Sequence, residues 1–153
     1  MRKTRTALMV AAMALTTAAF AQSILPIPKV GVRLGAGSWR GNTMVGAGAD
    51  VYFKVPVVPV PGFRLDAEAW DRPDSWGANR GNAISILGVQ SFTVVYAGLG
   101  PSYYFTSDHG DHRSGLGLKL MAGANLPHSF YVEASTIVGN SSSPVMLWLG
   151  MRF

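Results

Sequence analysis

Over seven stretches of this chain apolar residues return at every second position, and nowhere is a helical period sustained. In 30–37, Val30, Val32, Leu34 and Ala36 alternate with Gly31, Arg33, Gly35 and Gly37. In 63–70, Phe63, Leu65, Ala67 and Ala69 alternate with Arg64, Asp66, Glu68 and Trp70. The same dyad runs through 45–54, 94–105, 115–126, 130–138 and the closing "VMLWLGMRF". Successive strand residues point to opposite faces, so each stretch carries one apolar row and one mixed row. One further stretch, 82–92, is strand-like without clean faces, and a bulge near Gly88 is expected to switch its facing. Pro101 has no N–H for a ladder, which predicts a bulge or the rim of strand five. Eight strands, an even number, predict an all-β, eight-stranded antiparallel up-and-down barrel. No stretch beyond the N-terminus is apolar enough for a membrane-spanning helix.

Two barrels fit that pattern, and they differ in which row faces inward. A secreted soluble lipocalin-like barrel would turn the apolar row inward around an apolar ligand. The mixed row argues for the inverse. Eleven of the 18 glycines fall on it, and a solvent-exposed face has no use for residues that weaken strands. It also carries Arg33, Lys54, Arg64, Lys119 and Arg152 against Asp50, Asp66, Glu68 and Glu133, which predicts a paired ionic network in a narrow lumen. Tyr52, Trp70, Tyr96, Met121, Tyr131 and Trp148 would fill the remaining space and plug it. Aromatics near strand ends (Trp39, Phe63, Trp70, Phe92, Tyr103, Tyr104, Phe105, Phe130 and Phe153) suit interfacial girdles. With only 14% charged residues, the chain is poorly supplied for a water-facing wall.

The N-terminus supplies an address. "MRKTR" is a basic n-region, "ALMVAAMALTTAAF" an apolar h-region, and Ala19-Phe20-Ala21 a cleavage site, so residues 1–21 are expected to be a signal peptide and 22–153 the barrel domain. The signal holds Arg2, Lys3 and Arg5. The remaining charge, 10 basic against 8 acidic side chains, does not call for a nucleic-acid partner. There is no cysteine, hence neither disulfide staples nor thiolate metal ligands. Polar connections such as "WRGN", "DRPDSWGANRG", "SDHGDHRS" and "GNSSS" alternate with the turns "PVVPVPG", "QSFT" and "NLPHS", as in an outer-membrane barrel.

The ending "VMLWLGMRF" resembles the C-terminal targeting strand of bacterial outer-membrane β-barrels. The glycine-rich hairpin "AGLGPSYYF…SGLGLKLMAGANL" is similar to small barrels of the OmpA transmembrane-domain and OmpX type. The resemblance implies an outer-membrane, porin-like cell-envelope protein contacting membrane lipid, with both termini periplasmic. It also implies assembly by the barrel-insertion machinery, with Trp148 and Phe153 in the assembly signal and the last strand zipped against the first.

For activity the residues offer less. Arg40, Trp76, Asp108, His109, Asp111 and His112 are expected on external loops, as contacts for a surface ligand or another envelope protein. "SDHGDHR" has cation-ligand chemistry but no rigid element to hold it, so no metal and no cofactor is expected. Arg72, Arg80 and Arg113 near the loops have the chemistry to hold lipid phosphates. A lipid-modifying hydrolase is a further alternative through His128, Ser129 and Glu133. Some outer-membrane lipid deacylases use Ser, His and Glu, but there His and Ser lie two apart on one face. Here they are adjacent, on a turn at the periplasmic end, with no oxyanion-hole donors in sight. No catalysis is expected, and the predicted role is structural or one of surface interaction.

Overall fold

The computed structural model describes residues 28–54, 61–74, 79–108, 111–139 and 144–153. The expected signal peptide, Trp76 and His109 lie outside them. The strands are β1 (Lys29–Trp39), β2 (Asn42–Phe53), β3 (Gly62–Asp71), β4 (Asn79–Phe92), β5 (Val95–Asp108), β6 (Asp111–Asn125), β7 (Phe130–Val138) and β8 (Val145–Arg152). Each pairs antiparallel with the next, and β8 returns to β1, closing the barrel. Closure runs from Ser38 opposite Val145 to Gly31 opposite Arg152. Phe153 N then donates to Val30 O at 2.8 Å. The terminal strand that would expose an apolar edge in water is therefore paired along its length.

The wall is inverted relative to a soluble barrel. Leu34, Leu116, Leu147 and Phe153 are 65–74% exposed, whereas Arg33, Arg64, Asp66 and Lys119 are at most 3% exposed. The strands pair into a closed ladder, and the side chains that face outward through mid-wall are predominantly apolar, as a bilayer interior requires. β1 and β2 join through Arg40 and Gly41 with φ of 50° and 78°, the doubly positive pair that a tight hairpin turn demands.

Two local expectations are overturned. β4 has no bulge: Ala83, Ser85, Leu87 and Val89 are buried in unbroken alternation with exposed Ile84 and Ile86. Its faces are obscured in the sequence because its inward row is largely apolar, while Asn82 and Gln90 stand on the outward one. Pro101 is neither at a rim nor in a bulge. It lies mid-strand, paired with Leu118 on the β6 side. On the β4 side the ladder lapses between Ser85↔Ser102 and Gly88↔Leu99 and resumes in the same register, so the missing N–H falls in that gap. A Cβ on neighbouring Gly100 would come within 1.9 Å of Ile86 O, so only glycine admits the strands' close approach there.

Candidate functional site

The charged rows of six strands meet inside the barrel. Arg33 on β1 reaches Asp66 Oδ1 at 2.6 Å, Glu68 Oε2 at 2.9 Å and Glu133 Oε1 at 3.0 Å. Arg64 on β3 lies 3.2 Å from Asp66 and 3.5 Å from Asp50, and also pairs with Glu133. Lys119 on β6 bridges Asp66 and Glu68, each at 2.6 Å. Arg152 on β8 pairs with Asp50 at 3.3 Å. Four cations thus face four carboxylates in the buried interior, where each charge is tolerable only because its partner is present.

Lys54 does not join them. β2 ends at Phe53 and Lys54 is exposed; the alternation that points it inward stops with the strand. Two tyrosines take part beyond filling space. Tyr131 Oη donates to Asp50 Oδ1 at 2.7 Å, and Tyr96 Oη to Glu133 Oε2 at 3.0 Å. Their signal in the sequence was parity, since Tyr131 stands two residues before Glu133 on the same face.

Two apolar clusters flank this belt. Toward the loops Trp39, Met44, Trp70, Tyr104, Met146 and Trp148 pack together. Trp39, Trp70 and Tyr104 therefore belong to the interior and not to an outer girdle, as their inward parity within β1, β3 and β5 requires. Phe63, Phe92, Tyr103, Phe105, Phe130 and Phe153 do face outward. Toward the turns Leu87, Val89, Tyr96, Met121 and Tyr131 form the second cluster, with Tyr52 against it. The large rings rest on glycines of adjacent strands: a Cβ at Gly150 would meet the Tyr131 ring at 2.3 Å, and one at Gly81 the Trp70 ring at 2.4 Å. Trp148 also faces inward, its Nε1 donating to Ser135 at 2.9 Å and its ring 4.7 Å from the Arg33 guanidinium carbon. The outward row of the last strand is thus Val145, Leu147, Leu149 and Met151, leading to Phe153, without Trp148.

At the loop end Arg40 is exposed with its guanidinium carbon 5.1 Å from the Trp39 ring. Asp111 and His112 are exposed at the start of β6, and among the described residues no group of three His, Asp or Glu side chains is placed to hold a metal. The hydrolase trio is not assembled. His128 and Ser129 are exposed on a turn at φ of 60° and 67°, whereas Glu133 is buried and engaged by Arg33, Arg64 and Tyr96.

A closed eight-stranded antiparallel barrel, apolar outside and ion-paired within, has the architecture of the small outer-membrane β-barrels. Among solved structures it is similar to Neisserial surface protein A (NspA), with a TM-score of 0.55 over 82% of this chain and 94% of that one at 11% identity. Ail, the attachment invasion locus protein of Yersinia pestis, is similar at a TM-score of 0.47 and 18% identity, over 82% of this chain and 96% of Ail. No protein-family model matches the chain, and no curated protein matches its sequence.

Proposed function

We propose that this protein resides in the outer membrane as a plugged barrel with a structural or surface-interaction role, presenting its loops outside the cell. One observation carries the reading: the wall is apolar outward while Arg33, Arg64 and Lys119 are buried against carboxylates, a partition stable in lipid and costly in water. Both ends of the barrel chain lie at the turn side, which this reading makes periplasmic. Phe153 engages the insertion machinery during assembly, after export directed by residues 1–21. The belt and its flanking clusters fill the lumen, which leaves the loops to meet a surface ligand or another envelope protein. His128, Ser129 and Glu133 stand apart, which supports a role without catalysis.

The test is fractionation of cells expressing the full chain, followed by denaturing electrophoresis of unheated and heated membrane samples. A heat-dependent mobility shift in the outer-membrane fraction is expected. Recovery as a soluble protein without a shift would return the chain to the lipocalin-like alternative. For the plug, purified barrel in a planar bilayer is expected to show no steady conductance; regular open-channel steps would refute it.

A further inference from the structure

We propose that the outer wall near the loop end holds one outer-leaflet lipid, its phosphomonoester in a cationic cleft on β4–β6 and an acyl chain in the groove beside it. The proposal rests on the outer-membrane reading above. The register places Arg80, Ser107 and His112 in one row across the three strands. Four residues further along β4 the outward row becomes Ile84, Tyr103 and Leu116, all exposed. That step is roughly 13 Å of strand, so the polar row stands where the apolar wall gives way to headgroups.

A cleft of about 240 Å³ opens there, lined by Arg80, Asn82, Ser107, His112, Arg113 and Ser114 among others. Guanidinium groups hold phosphate oxygens in forked pairs, and hydroxyls complete the shell. Free anions need no more than this, but the site has a second part. Arg80 and Asn82 also line an adjoining groove of about 520 Å³ that crosses to Leu34, Val45, Ala47 and Ala69. Ala47 and Ala69 face each other in register, so small side chains floor an apolar trough that begins at the cleft. The one acidic residue in the groove lining, Asp71, sits opposite Arg80 and already accepts a hydrogen bond from Arg72 N at 2.7 Å. A charged cleft continuous with an apolar groove on a lipid-facing wall fits an amphiphile.

The test is native mass spectrometry of the folded barrel released from micelles doped with dimyristoyl phosphatidic acid. Each variant is first checked for the heat-dependent gel shift. A one-to-one adduct is expected, with affinity roughly 30-fold lower in R80Q/R113Q, as the loss of two cations at a membrane surface implies. Ala69→Trp, which fills the trough, should weaken the adduct as well. Lys29→Gln, a cation at the opposite end of the wall, should leave it unchanged. Equal adducts in all variants, or none from a heat-shifting wild type, would overturn the site and leave the barrel reading intact. Full displacement by millimolar inorganic phosphate, with Ala69→Trp silent, would reduce it to a free-anion site and overturn the lipid. A protein without the heat shift would remove the barrel reading itself.

Discussion

Toward the loops the interior is held by Met44, Met146, Trp39 and Trp70 meeting through apolar surface, whereas toward the turns Tyr52, Tyr96 and Tyr131 gather around Arg152. The tyrosine end is wired to the charges: two hydroxyls donate to Glu133 and Asp50. The Arg152 guanidinium carbon lies 4.2 Å from the Tyr131 ring and 5.3 Å from that of Tyr96. The tryptophan end is largely shape. Trp70 Nε1 is buried with no hydrogen-bond partner among the described residues, and Trp148 ties that cluster to the belt through the Arg33 guanidinium. One end should therefore respond to the loss of a single polar atom and the other to the loss of volume.

The sharpest break is Arg33→Met. It strands Asp66, Glu68 and Glu133 with fewer cations than charges, and a destabilisation of about 3–5 kcal/mol is expected, as for other broken buried pairs. Reversible urea unfolding in phospholipid vesicles, followed by tryptophan fluorescence, would measure it. Tyr131→Phe removes one hydroxyl donor from a buried carboxylate and should cost about 1.5–3 kcal/mol in the same assay. Trp70→Phe deletes an N–H with no partner among the described residues and a modest volume, so a change within ~1 kcal/mol is expected. A loss as large as that for Tyr131→Phe would erase the distinction between the two ends. Smallest of all, Lys54→Gln should leave unfolding midpoint and heat shift unaltered, because this side chain is outside the belt.

The fold was legible because the period of two survives in seven of eight strands, and the direction of the wall because charges and glycines shared a row. β4 resisted for a physical reason. It faces inward with Ala83, Ser85, Leu87 and Val89, so no charge marks its inner row, where Ser85 donates to Ser102 at 2.9 Å. The membership of the belt followed parity, which holds only while a strand lasts; Lys54 falls just past that limit. Trp39 and Tyr104 stand near strand ends, where aromatic position suggests a girdle, yet parity turns both inward. The partners of Arg33 were not legible at all. They come from β3 and β7, and a linear pattern carries no information about which groups meet across a lumen.

Because the belt draws its charges from β1, β2, β3, β6, β7 and β8, no single hairpin pairs all of its own charges. A first hairpin entering the bilayer alone would carry Arg33 and Asp50 into hydrocarbon without the groups that pair them. The pair Arg152–Asp50 joins the last hairpin to the first, so the belt is complete only when the eighth strand has arrived.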